Sequence, residues 1–403
     1  MTPPEGFLRI GKVVGILVCA AILASHLISM SRWSEDRGVN DDICYLRQAH
    51  LFQRFGLGGL DTNFARDDDG YFLAKMKKLP TWFEGQGPVC HTPMSATGKL
   101  VLQYPPGTGL MLALFPSGHQ VVALYSVCTL IIFLFVCAAI WLSRSRAQLA
   151  LASAFGFVAI YVMINPVKAS YSIAPTMVLC AAVGLLTARL FAEERQRQRM
   201  LLIPIIGLLI GTAVNMRVPN ILLSAGYCTY LLVAFLATRK AARFCEGVLF
   251  AIAFVIGMSP TLAANAINAG SPFSTTYGAG DVVAPSLDGE TIRAYLGDPQ
   301  SLFVVLSLLW TLGVWHQGKN RLALLLGSGL AINLTFFITH PIFTQYYTIP
   351  ICALTLWTLL FALLIPPNRA LNLQDVAHAH LAEGDLEGGA SRGCGYGGVL
   401  GQA

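Results

Sequence analysis

Ten apolar runs of 15 to 24 residues, joined mostly by short polar connections, leave this 403-residue chain little choice of solvent. They cover residues 10–30, 119–142, 148–164, 172–191, 201–216, 220–237, 245–265, 301–315, 322–338 and 347–365. At 1.5 Å per helical residue, about 20 apolar residues cross a hydrocarbon layer of roughly 30 Å. Inside that layer each backbone N–H and C=O must find a partner within the chain, which a helix supplies. The pattern therefore predicts an all-α polytopic membrane protein with about ten transmembrane helices. The first run has Arg9 and Lys12 at its start and is long for a signal-peptide core, so it reads as an uncleaved span. Residues 108–115 are apolar but too short to cross, and read as an interfacial or re-entrant piece.

Charge sharpens this picture. Charged residues make up 12% of the chain, against about 25% in soluble domains. They are concentrated: residues 31–99 hold nine basic and nine acidic side chains, and the other 334 residues hold 30. This excludes an ordinary soluble enzyme, a coiled coil and a disordered chain. A net charge of +6 without a basic, aromatic-interleaved patch gives no nucleic-acid signal. In the short connections, 14 Lys and Arg fall on one side and three (Lys168, Arg217 and Arg293) on the other. Positive residues stay inside, so both termini are expected to be cytoplasmic. A large insert, residues 31–107, then faces the exterior, as does a second loop, residues 266–300. Residues 1–365 read as one membrane domain and 366–403, rich in Gly, as a disordered cytoplasmic tail.

Of ten cysteines, Cys44 and Cys90 lie in the insert. An oxidising compartment permits a disulfide between them, worth roughly 4 kcal/mol at best for such a loop. Two buried free thiols are the alternative. No C-x-x-C or similar metal spacing occurs.

Three elements of the exterior face carry chemistry-bearing residues. The first is Asn40-Asp41-Asp42-Ile43-Cys44-Tyr45-Leu46, directly after the first span. From Leu46 its apolar spacing fits a short amphipathic helix along the membrane surface. Asp41 and Asp42 at its start read either as residues that complement the helix N-terminus or as a general base or metal ligand. The second is Lys99-Leu100-Val101-Leu102-Gln103-Tyr104-Pro105-Pro106-Gly107, where two prolines and a glycine make a sharp turn that brings Tyr104 to the interface. The third is Gly270-Ser271-Pro272-Phe273 followed by Tyr277-Gly278. Singly, each reads equally well as loop structure.

As an ordered set on one face, they resemble the GT-C superfamily of polytopic glycosyltransferases, nearest the branch of protein O-mannosyltransferases and lipid A aminoarabinose transferases. The likeness covers the first half of the chain and thins after Tyr277. The acidic pair is Asp-Asp where many relatives have Asp-Glu. The resemblance implies a GT-C-like fold in a bacterial inner membrane, with the active site facing the periplasm. It also implies inverting transfer of a hexosyl or pentosyl group from a polyprenyl-phosphate donor to a hydroxyl of a lipid, glycan or protein acceptor. By motif match Asp41 is the general base, with Asp42 as partner or metal ligand. No cofactor is required, and a divalent cation is left open.

The departing phosphate needs cations. Lys99 and Arg217 are the candidates, with surface charge and snorkelling to headgroups as their alternatives. Tyr104, His340 and Tyr346, with Gln345 and Tyr347, are candidates for the donor or acceptor pocket, against a simple aromatic belt. Asp281 and Asp288 are weaker acceptor candidates. Asp67-Asp68-Asp69 reads as a solvated loop before a metal site, and His91 as loop structure. Two rivals stand beside the transferase: a transporter or flippase, which wants charges at mid-membrane, and a surface-polysaccharide ligase or polymerase.

Overall fold

The computed structural model describes residues 5–33, 40–79, 82–162, 170–193, 195–278, 284–340 and 342–366. Lys168, Asp281 and the tail from residue 367 lie outside them. The chain runs from α1 (Glu5–Ser31) into a cap made of α2 (Asn40–Phe55), α3 (Tyr71–Met76), the antiparallel hairpin β1 (His91–Met94) and β2 (Lys99–Leu102), and α4 (Pro106–Leu112). Helices then follow one another: α5 (Gln120–Leu142), α6 (Arg146–Phe157), α7 (Ile173–Ala192), α8 (Gln196–Val214) and α9 (Ala225–Thr238), which continues a 3-10 turn at Val218–Ser224. The chain closes with α10 (Ala241–Ala269), α11 (Gly289–Gly297), α12 (Gln300–His316), α13 (Asn320–Thr339) and α14 (Ile349–Leu364).

Among the described residues, seven helical segments are long and apolar enough to cross a membrane: α1, α5, α7, α8, the turn with α9, α10 and α13. An eighth arises if α11 and α12, bent by 82°, are one broken span, and α6 and α14 are shorter apolar helices. The protein is thus a helical, multi-pass integral membrane protein. The helices approach closely where side chains are missing. Gly207 and Gly211 of α8 and Gly257 of α10 sit against the partner backbone, as do Gly226 of α9 and Gly329 of α13. Small residues permit this contact in a solvent that gives no hydrophobic drive to helix pairing. One end of α8 carries a buried ionic knot: Arg199 Nε lies 3.3 Å from Glu246 Oε1, and Arg243 Nη1 lies 2.8 Å from Glu246 Oε2.

The cap differs from the expected surface helix. α2 is buried on both faces, with Tyr45, Leu46 and Ala49 against the bundle and Ile43 and Cys44 against Phe72, Met76 and Leu102. Arg47 of α2 has no exposed surface. Its guanidinium pairs with Asp68 at 3.0 Å, donates to the carbonyls of Thr62 and Asn63 at 3.2 Å, and meets His91 Nε2 at 2.6 Å. A polar, unpromising helix is therefore interior because the chain after it folds back and supplies the partners. The acidic run is spent the same way: Asp67 and Asp69 both pair with Arg54. Cys44 and Cys90 form a disulfide with Cα atoms 6.6 Å apart, tying α2 to the start of the hairpin. The short piece at 108–115 is α4 and its exit, a buried non-spanning helix.

Candidate functional site

The first turn of α2 shows how the chain sorts its two carboxylates. Neighbours on a helix point about 100° apart, so Asp41 and Asp42 cannot share one environment. Asp42 is buried, and its Oδ1 accepts the backbone N–H of Tyr171 at 3.1 Å, fixing the entry to α7. Asp41 instead faces a cavity of about 490 Å³, together with Tyr45 one turn further on. Asp42 is thus a buried backbone anchor here, and the structure does not bring it to the cavity.

The other walls of that cavity come from the end of the hairpin and from the ends of helices. Gln103 and Tyr104 come from the end of the hairpin. Arg217, Val218 and Pro219 come from the break after α8. Ser170 precedes α7, and Thr275 and Tyr277 follow α10. Phe336, Phe337 and His340 end α13, and Thr344, Tyr346 and Tyr347 lead into α14. Pro219 lacks the N–H that would carry a helix across the break, so the chain leaves α8 and Arg217 takes an extended backbone.

Among the described residues, two charges face this space. Asp41 is the only carboxylate among the described lining residues. Arg217 is 8% exposed, and its guanidinium lies 4.7 Å from the ring centre of Tyr346 and 4.9 Å from that of Tyr347. No ion pair joins it to a described carboxylate. A buried cation lacking a counter-ion is costly, and flat aromatic faces offset only part of that cost. The arrangement suits an anion. Tyr45 and Tyr346 feel both charges: burial pushes each phenol up, Arg217 pulls it down and Asp41 raises it again. Tyr104 lies beside Asp41, and burial followed by that negative charge keeps its hydroxyl protonated. Its Oη accepts from Gln103 Nε2 at 3.4 Å, while Gln103 Oε1 accepts from Thr92 Oγ1 at 3.3 Å. His340 stacks on Phe336 at 5.4 Å.

Of the residues read from the sequence, Asp41, Tyr104, Arg217, His340 and Tyr346 therefore meet in one cavity. Lys99 does not. Its Nζ lies 3.2 Å from Asp61 Oδ2 and 3.0 Å from the carbonyl of Ile267, tying the hairpin to the end of α10. Lys99 and Tyr104 sit at opposite ends of an extended stretch of roughly 16 Å, so proximity in sequence did not make them neighbours in space. Asp288 accepts from Thr291 N at 2.8 Å as the cap of α11. Among the described residues no group of three or more His, Cys, Asp or Glu is arranged to hold a metal ion. Sequence reasoning missed Tyr45, Gln103 and Tyr277 as lining residues. Tyr45, four residues after Asp41, was readable from helical period alone. Neither a protein-family model nor a curated protein matches the chain, so function is argued from this geometry.

Proposed function

We propose that the protein is a ten-span membrane glycosyltransferase of the GT-C type, acting at the periplasmic face of a bacterial inner membrane. One observation carries the proposal: the one carboxylate among the described lining residues and a buried guanidinium paired with no described carboxylate face the same aromatic-lined cavity, where the three resembling motifs converge. A cavity of about 490 Å³ lies within the range that holds a small ligand, roughly 300–1,000 Å³.

In this reading Asp41 accepts the proton of the acceptor hydroxyl as its oxygen attacks the anomeric carbon. The bond between that carbon and the phosphate oxygen breaks, and its electron pair leaves with the phosphate. The phosphodiester monoanion becomes a phosphomonoester that carries an additional negative charge. Arg217 is placed to take up that charge, which grows as the bond breaks. Inversion is the outcome that the resemblance implies, and Asp41 is the one carboxylate among the described lining residues. The tyrosines offer hydroxyls and flat faces to a sugar.

The test begins with a lipid and glycan mass comparison of a deletion strain and its parent, which names the transferred sugar. Asp41→Asn is then expected to abolish transfer with abundance and membrane insertion unchanged. Asp42→Asn, which keeps an acceptor for Tyr171, is expected to retain most turnover. Full activity in Asp41→Asn, or transfer from a nucleotide sugar with no prenyl carrier, would refute the proposal.

A further inference from the structure

Asn215 is the cap residue that ends α8, two positions before Arg217. It is buried, and its carboxamide is inserted into another helix. In an unbroken α10 the carbonyl of Gly257 and the N–H of Thr261, four residues apart, would pair with each other. Asn215 engages both. Its Nδ2 donates to Gly257 O at 2.7 Å, and its Oδ1 accepts from Thr261 N at 3.0 Å and from Thr261 Oγ1 at 2.7 Å. Pro260 lies within this turn of α10 and supplies no N–H of its own. A side chain inserted in the ladder is a recognised site of helix bending, and these three directed hydrogen bonds tie the end of α8 to one turn of α10.

The backbone of the same stretch holds the other half of the site. Asn215 O accepts from Gly107 N at 2.7 Å, and Met216 O accepts from Thr108 Oγ1 at 3.2 Å. The approach is so close that a Cβ on Gly107 would stand 2.5 Å from Asn215 O. Gly107 belongs to the turn that carries Tyr104, beside Asp41. Three consecutive residues therefore divide two tasks. Asn215 and Met216 bind the Tyr104 turn, and Arg217 enters the cavity.

We propose that Asn215 is a positioning residue that sets the place of the Arg217 guanidinium in the cavity and registers it against Tyr104. The inference rests on Arg217 being the phosphate ligand of the proposed transferase. Hydrogen bonds to a phosphate weaken steeply with distance and angle, so a shift of about 1 Å at Arg217 is enough to be felt.

The experiment measures the dissociation constant of farnesyl phosphate, a short prenyl monophosphate, for the full chain in detergent. The variants are Asn215→Leu, Arg217→Gln and the double variant. Each single change is expected to weaken binding about 10-fold. The double variant is expected to bind no more weakly than the poorer single one, because Asn215 acts through Arg217. Thr261→Val, which removes only the 2.7 Å hydroxyl contact, is expected to weaken binding about 3-fold, and serves where Asn215→Leu does not fold. A purely structural role would reduce the folded yield and leave the constant of the folded fraction unchanged, overturning the proposal. Multiplicative losses in the double variant would overturn it too. Unchanged binding in Arg217→Gln would show instead that the phosphate reading itself had failed, and the positioning role with it.

Discussion

Replacing Arg47 by Met tests whether the cap is organised by one buried charge. The substitution keeps much of the side-chain volume and removes the guanidinium. Asp68 then loses its partner at 3.0 Å, the carbonyls of Thr62 and Asn63 lose donors at 3.2 Å, and His91 Nε2 loses one at 2.6 Å. Breaking a buried pair from one side costs about 3–5 kcal/mol, because Asp68 keeps the Phe72 N–H at 3.3 Å but loses its cation while staying largely buried. That is a large share of the roughly 5–15 kcal/mol that holds a domain together. Lysine is expected to recover only part of the loss, since a point charge cannot reproduce the planar fork that reaches several acceptors. Hydrogen exchange by mass spectrometry in detergent reads the effect locally. Amides of residues 60–76 and 91–102 are expected to exchange about two to three and a half decades faster, at about 1.4 kcal/mol per decade. Those of α7 and α14 are expected to stay as they were. A change below one decade in the cap, or equal acceleration in the spans, would refute the reasoning.

Other outcomes follow from the same layer. Removing the Cys44–Cys90 link in the double alanine variant opens a loop with a sequence separation of 46 residues, worth up to about 4 kcal/mol by chain entropy. Its cap is expected to be cleaved faster in limited proteolysis, and reduced wild-type protein should match it. Unchanged proteolysis after maleimide labels both thiols would contradict this. Burial, then the charge of Arg47, pushes the His91 imidazole down to about 4, so it is neutral in the fold at neutral pH. An unfolded histidine titrates near 6.5. The unfolded chain therefore binds the additional proton first as pH falls. The stability tied to this group is complete above about pH 6.5 and is lost towards pH 4, at most about 3 kcal/mol. Replacing His91 by Asn is expected to flatten that part of the pH–stability curve, and an unaltered slope would count against it.

Legibility in the sequence followed the range of the forces involved. The membrane class and most helix positions rest on hydropathy, which is local, and the runs at 119–142, 172–191 and 322–338 nearly coincide with α5, α7 and α13. The disulfide was one of two open readings, because two cysteines in one insert do not say whether they meet. The hairpin was not foreseen, since its four-residue strands carry too few alternating residues to stand out. Nor was the interior position of α2. Its acidic and basic residues argue for water, and only the returning chain with Asp68, His91 and the carbonyls near Thr62 makes burial affordable.

The candidate site divides in the same way. Sequence by itself determined that the chain is a helical membrane protein, that its polar residues gather in one insert, and which few charged and aromatic residues stand at span ends. Tertiary structure decided which of them share a cavity. Asp41 and Arg217 are 176 positions apart, and nothing in hydropathy or spacing fixes a side chain's direction over that distance. The direction comes from helix phase at Asp41 and Asp42, from Lys99 being drawn to Asp61, and from Asn215 bridging α8 to α10. Those are contacts between elements remote in the chain, and only the packed bundle contains them.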